Sequence, residues 1–376
     1  MHTKINETPD IVGLTLNSAK EGEEVSVAFK GTFISDNIEF HDSIKQIYDL
    51  FLTDLIKPEE CNNILIVRHL NKSADIYLNN FEMICSIRIK NKIKKGEPVY
   101  KKNIADIIKL KFPKIKITNK DQIMFLYRVG WKFGFHFNFS ANTELKKQNV
   151  HLNLNELYTD LASMYRYLLF EKEYMILQNS KLFDNLIKDG WFPFIQLLDK
   201  DYLELSLIYQ NKWYNKIDEW MSKFNYDEIS SFTQYWWDNK IYNEKKEILE
   251  SGIAAFLENT NKGFINCITN LYTQIEGILR IVYFSEFKKK PTFKQLNNFI
   301  RNKALAKYST SGSLGFPSNF YEYIEKYIFK NFDLKTGEIT LSRHTVSHGV
   351  AISSDFKKSK ALQAVLLLDQ MHFYLK

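Results

Sequence analysis

Apolar and polar positions recur with two periods along this chain, two residues in its first third and three to four residues beyond it. Val25-Ser26-Val27-Ala28-Phe29 and Ile84-Cys85-Ser86-Ile87-Arg88-Ile89 alternate or bunch β-branched residues between turn signals, so residues from about 10 to 120 are predicted to be rich in strands. Gly96-Glu97-Pro98 reads as a turn. Lys109-Leu110-Lys111-Phe112 and Lys114-Ile115-Lys116-Ile117 keep the period of two, which would put lysines on one face of a sheet and Leu, Phe and Ile on the other. The run from Trp131 to Phe139 alternates as well and is predicted to be one more strand, its rings in the core rather than on a base-stacking platform. A short helix is expected near Ser43 to Lys57, where Ile44, Ile47, Tyr48, Phe51 and Leu55 recur at helical spacing.

From about Leu154 the pattern turns helical, with amphipathic stretches over Asn155 to Lys188 and Phe192 to Lys223 and a helix stop at Gly190. Trp191, Trp213, Trp220, Trp236 and Trp237 in this stretch fill either a helical core or a subunit contact. Asp238-Asn239-Lys240 is a polar break. Beyond it, helices are predicted over Glu244 to Glu258 and Gly263 to Phe287, then one opened by Pro291-Thr292-Phe293 and one over Asn319 to Asn331. Ser309 to Ser318 reads as a loop and Lys335-Thr336-Gly337 as a turn. Leu362, Val365, Leu366 and Phe373 line a final helix. The fold class predicted is α+β, mainly α, in three regions: a β-rich domain over 1–145, a helical linking region over 146–240 and an up-and-down helical bundle over 241–376.

Within the last region, Ser342-Arg343-His344-Thr345-Val346-Ser347-His348-Gly349 gathers a permanent cation and two imidazoles, although the chain has only seven arginines and eight histidines. Cleaving a phosphodiester without metal needs such groups: something to move protons near neutral pH and a cation for the developing phosphate charge. His348 suits proton transfer, and the planar fork of Arg343 suits two phosphate oxygens. Ser342 is placed to cap a helix. If the segment is helical, His344 and His348 share a face while Arg343 lies about 140° around from His348. One motif then converges loosely, and two motifs from two subunits would surround a target better. His344 and His348 are also spaced as an HxxxH pair, but Thr345 stands where a zinc protease has Glu and no third ligand is near, so no metal or other cofactor is expected. Gly349 reads as a helix terminator or as room for substrate backbone.

Composition changes this picture in two places. The net charge of +7 is concentrated: between Arg88 and Lys120 twelve Lys or Arg face two acids. Such a field attracts a polyanion, with Lys92, Lys94 and Lys95 as candidate contacts, although a Lys-rich coding bias scatters lysines over solvated faces without function. Lys357, Lys358 and Lys360 after the motif are candidates of the same kind. The three cysteines, Cys61, Cys85 and Cys267, form neither a disulfide framework nor a zinc pattern, and the start of the chain lacks an apolar leader. With no run of about 18 apolar residues either, a cytoplasmic protein without a membrane partner is expected. P-loop, G-x-S-x-G and paired-carboxylate metal motifs are absent from the sequence.

The Gln274-Ile275-Glu276-Gly277-Ile278 helix, a variable insert, Arg343-His344-Thr345-Val346-Ser347-His348-Gly349 and the closing apolar helix together resemble the HEPN superfamily of prokaryotic toxins and defence nucleases. The likeness covers about the last 130 residues, with His344 in the motif's polar slot. It implies a metal-independent endoribonuclease that works as a homodimer, in antiviral defence or a toxin system, with RNA as substrate and an antitoxin or regulatory protein as partner. It also implies Arg343, His344 and His348 as the site. Glu276 would either face the motif and orient a histidine, as an acidic residue does in similar proteins, or form an ordinary pair with Arg280 four residues on. The alternative is a non-catalytic HEPN-like protein that binds nucleic acid or dimerises. For the ribonuclease reading, the first domain is expected to serve as sensor or regulator.

Overall fold

The alternating segments of the first 138 residues pair mainly into one antiparallel sheet in the computed structural model, which describes residues 1–53, 55–141, 151–308, 312–332 and 341–376. The strands are β1 (His2–Ile5), β2 (Leu14–Thr15), β3 (Val27–Ala28), β4 (Lys30–Ile34), β5 (Asn63–Arg68), β6 (Ala74–Leu78), β7 (Ile84–Ile89), β8 (Ile104–Lys111), β9 (Gln122–Val129) and β10 (Lys132–Asn138). Six of them form the sheet in the order β1-β6-β5-β9-β10-β4, while β2 pairs with β3 and β7 with β8. Central registers such as Ile66↔Met124 and Leu126↔Phe135 put apolar residues side by side across three strands.

Both faces of the sheet are covered. Helix α1 (Ile38–Phe51) packs Phe40, Ile47 and Phe51 against Ile64, Ile66, Ile76, Met124, Phe135 and Phe137. It starts five residues before the Ser43 expected, because Phe40 extends the buried stripe back by a turn. On the other face, α2 (Leu154–Leu169) brings Met164 and Leu168 so close to Gly134 that a Cβ there would lie 2.7 Å from Met164. Glycine is the residue that lets this helix lie on β10. The rings of Phe135, Phe137 and Phe139 are core, as expected, and Trp131 stands exposed at the preceding turn. The 114–117 alternation is corrected: Ile115 and Ile117 are buried and Lys114 and Lys116 exposed, but no ladder forms there after Pro113. Lys95 and Gly96 sit in the expected turn.

The helices that follow are α3 (Glu171–Gln178), α4 (Ser180–Lys188), α5 (Lys200–Gln210), α6 (Ile217–Met221), α7 (Tyr226–Thr233), α8 (Lys240–Glu244), α9 (Lys246–Leu257), α10 (Asn261–Phe287), α11 (Phe293–Tyr308), α12 (Pro317–Tyr323), α13 (Arg343–Ser347) and α14 (Lys358–Leu375). With 52% helix and 15% strand the protein is α+β and mainly α. The two long amphipathic stretches expected are broken into shorter pieces. Asn179 caps a new helix by accepting from Leu182 N–H at 3.2 Å, and Pro193 and Asp199, at φ +83°, interrupt the second stretch. Gly190, at φ +93°, follows α4 as a terminator. The Lys335-Thr336-Gly337 turn and residues 309–311 of the expected loop lie outside the described residues.

Contacts divide the chain into two units, residues 1–88 with 107–171 and residues 89–106 with 172–376. Their edges differ from the sequence regions 1–145, 146–240 and 241–376, since the helices from about 172 to 240 share a unit with the C-terminal helices. In that second unit, α10 packs on α9, α14, α13 and α11. Helix α14 is enclosed on all sides, so that Gln363, Asp369, Gln370 and His372 are buried with its leucines. The Asp369 carboxylate accepts from Trp236 Nε1 at 2.7 Å and Gln196 Nε2 at 2.9 Å, and Gln370 accepts from Ile195 N–H at 2.6 Å. Trp191, Trp220 and Trp236 are core residues, whereas Trp213 is half exposed.

In the first unit His69 lies between Asp121, 2.9 Å from Nδ1, and Asp75, 2.8 Å from Nε2. Burial lowers its pKa, but hydrogen bonds to Asp75 and Asp121 and their charges outweigh this, so the imidazole titrates above its ordinary 6.5. A raised folded-state pKa contributes stability that is full below about 6.5 and lost as pH rises through the higher folded value. Unfolding followed by circular dichroism should therefore show stability falling above pH 6.5, by on the order of 1 kcal/mol or less for this partly exposed group. His69→Gln should flatten that slope, and an unchanged slope would rule the assignment out.

Candidate active site

The arginine–histidine segment folds as a short helix whose two ends are both fixed. Ser342, buried, caps it: Thr345 N–H donates to Ser342 Oγ at 3.3 Å and Ser342 N–H to Thr345 Oγ1 at 2.8 Å. At the other end His348 is the C-cap residue, one past Ser347, and Gly349 takes φ +67°. Val350 N–H then reaches back to Thr345 O at 2.9 Å. Of its two readings Gly349 thus acts as a terminator. The turn stacks His344 on His348, with ring centroids 6.3 Å apart and planes 7° apart, as four-residue spacing requires.

The stacked rings differ in setting. His344 is buried and packs on Phe293 at 4.7 Å, while His348 is exposed and, besides His344, meets the Phe332 ring at 5.8 Å. Burial, then the charge of Arg343 and, further, of His348, lower the His344 pKa against the opposing pull of Glu276. His344 is therefore a neutral imidazole at neutral pH.

Arg343 is held by a carboxylate from another helix. Glu276 is buried on α10, where Oε1 accepts from Arg280 Nε and Oε2 forms a close charge contact with Arg343 Nε that lacks hydrogen-bond alignment. Arg280 also donates to Pro291 O at 2.9 Å, and the Phe293 ring lies 5.3 Å from its guanidinium and 5.7 Å from that of Arg343. Glu276 thus satisfies both readings in part. It makes the pair with Arg280, buried instead of on the surface, and it faces the motif; what it orients is Arg343, not a histidine. The terminal nitrogens of Arg343 have no hydrogen-bond or ion-pair partner among the described residues.

The lysine candidates are not gathered at this centre. Lys92, Lys94 and Lys95 are exposed around the Gly96 turn, Lys357 is exposed and Lys358 half-buried at the start of α14. Among the described residues no hydrogen bond or ion pair links them to Arg343, His344 or His348. Part of the basic stretch has structural work instead. Lys101 pairs with buried Glu173 at 3.0 Å and with Asp199 at 3.2 Å, and Lys114 pairs with Glu82 at 2.7 Å. Lys90 donates to Leu198 O, its pKa lowered to about 8 by burial. The sequence reading missed Phe293 and Phe332, since only tertiary contact brings them to the histidines. Arg280 was legible as a partner of Glu276 but not as one of two guanidiniums sharing it.

No known family, curated protein or solved structure matches the chain. Among the described residues no group of three His, Cys, Asp or Glu side chains is placed to hold a metal ion, and no helix is long and apolar enough to cross a membrane.

Removing the shared carboxylate leaves two guanidiniums beside the Phe293 ring without the charge they share. Glu276→Ala should lower unfolding stability by about 1–3 kcal/mol, between the values for exposed and fully buried pairs. In a double-mutant cycle, Arg280→Ala should cost less in that background than in the native chain. Additive losses in urea titrations would refute the shared pair.

Proposed function

We propose that this protein is a metal-independent endoribonuclease of the HEPN type, acting as a homodimer. The observation that carries the reading is the triad of settings just described: a guanidinium anchored through Nε by a buried carboxylate, an imidazole kept neutral by burial, and a second imidazole stacked on it and open to solvent. Anchoring Arg343 through Nε leaves the fork of terminal nitrogens for two phosphate oxygens, where charge develops in the transition state. His348 takes the proton of the ribose 2′-hydroxyl as its oxygen attacks phosphorus. The bond to the 5′-oxygen breaks, and that oxygen receives a proton from an imidazole of a second motif. The products are a 2′,3′-cyclic phosphate and a 5′-hydroxyl.

The second motif is supplied by a second copy of the chain. Ile281, Phe284 and Phe287 are exposed along one side of α10, the helix that also carries Glu276 and Arg280. An apolar row of that kind on a surface helix is a natural subunit contact. The broader setting, a cytoplasmic effector in antiviral defence or a toxin system restrained by an antitoxin or regulatory protein, follows from the resemblance and from the need to control a ribonuclease. For the first unit, a regulatory role is supported by an apolar cavity of about 740 Å³ lined by Phe40, Ile44, Tyr48 and Phe133. The second reading, a non-catalytic HEPN-like protein for nucleic-acid binding or dimerisation, draws on the same exposed row.

Purified full-length protein with labelled total RNA and EDTA separates the two readings. Arg343→Ala and His348→Ala should each slow cleavage by at least about 100-fold with unchanged melting, and Arg343→Lys should restore part of the rate. Equal cleavage by all four proteins, or none by the native one, would falsify the ribonuclease reading. Phe284→Asp should halve the mass in solution and remove cleavage together; a monomeric native protein would exclude the dimer.

A further inference from the structure

The second unit contains a cavity of about 620 Å³ that the proposed ribonuclease chemistry does not use. Five lysines line it, Lys188, Lys326, Lys330, Lys357 and Lys360, against two aspartates. Both carboxylates already have donors: Asp189 accepts from Tyr209 Oη at 2.6 Å and Asp355 from Ile352 N–H at 3.2 Å. Lys326 has a partner, Glu322 at 3.3 Å on the exposed side of its helix. For Lys188 and Lys357, both exposed, no ion pair is formed among the described residues. Lys360 donates to a backbone carbonyl, Asp189 O at 2.7 Å, which Gln363 Nε2 shares at 2.9 Å. Burial lowers the Lys360 pKa to about 8, so a nearby anion would recover part of the cost of its charge.

The remaining wall is aromatic. Tyr327 is half-buried and lies over Tyr323, centroids 5.9 Å apart and planes 28° apart. The segment that presents Lys326 and Tyr327 is a turn of π-helix, Ile324–Ile328, closed by Phe329 N–H donating to Ile324 O at 2.8 Å. Such turns are rare and concentrate at functional sites. The geometry points to a binding site for a phosphorylated small molecule of the nucleoside-phosphate class, its phosphates among the lysines and its flat ring against Tyr327. The volume is of the size that holds such a ligand. Leu341 and Lys357, which also line the cavity, flank the α13 segment in sequence, so an occupant would touch the chain just before the arginine–histidine helix and again at the start of α14.

Binding is tested on the full-length protein by titration calorimetry, independently of any cleavage. The probes are ATP, inorganic tripolyphosphate, adenosine and a ten-nucleotide RNA without terminal phosphate. ATP should bind more tightly than tripolyphosphate, and adenosine about tenfold more weakly than ATP or worse. The double variant Lys188→Ala/Lys357→Ala should weaken ATP by about tenfold or more with melting unchanged, since both side chains are exposed. Arg343→Ala should bind ATP as the native chain does, which keeps this result separate from the ribonuclease reading. The assignment is overturned if no phosphate compound binds, if the double variant binds ATP equally well, or if RNA alone binds and loses affinity in the double variant, which would give the cavity to a nucleic-acid chain.

Discussion

A helix surrounded on every side must find partners for the polar groups it buries or leave them unpaired at a cost, and α14 sets that condition for the second unit. Gln370 Nε2 and His372 Nε2 are the buried side-chain atoms of the helix left without a hydrogen bond among the described residues. Its leucines, valine and methionine fill the interior, but Asp369 and Gln370 lie among them with negligible exposure. Their partners come from far along the chain, Trp236 and Gln196 for Asp369 and Ile195 N–H for Gln370, while Tyr242 donates to the helix's own Leu368 O at 2.8 Å. An unpaired carboxyl at this depth would be costly, so the segment around 195 and the turn around 236 are tied to α14 by polar satisfaction as much as by apolar burial. Even paired, the Asp369 carboxyl has its pKa raised to about 6 by burial, a measure of how dry the surroundings are.

The same economy of charge shapes the candidate site. Glu276 lies on the side of α10 that faces the core, and its burial is tolerable because two guanidiniums share it. Phe293 carries both cations and one imidazole against its ring, so a single aromatic side chain positions three polar groups. With Ser342 and Gly349 fixing the ends of α13, little freedom is left to His344. The freedom that remains belongs to His348, at the exposed end.

Much of the architecture was legible because local pattern and tertiary burial agree. The α10 stripe Phe264, Ile268, Leu271, Ile275, Leu279 and Val282 is buried as its spacing requires, and β7 forms where β-branched residues bunch. The Ser342 cap was legible because capping depends on residues three apart. Where pattern and context diverged, the reading went astray. Residues 114–117 alternate in burial without joining a ladder, and the stretches after 155 and 192 break where Asn179 and Pro193 redirect the backbone. The basic stretch was legible as composition, yet Lys101 and Lys114 turned out to be ion-paired, which composition cannot reveal.

What the sequence by itself determined is local: the order of strands and helices, the helical spacing that stacks His344 on His348, and the presence of one arginine beside them. These follow from side-chain period and capping, which act over a few residues. What only the tertiary structure decided is which distant groups meet. Glu276 lies 67 positions before Arg343 in the sequence, and nothing in either neighbourhood states that its carboxylate serves Arg343 and not a histidine. That pairing arises because α10 and α13 pack face to face, and packing is settled by the whole core at once rather than by any segment's own preference.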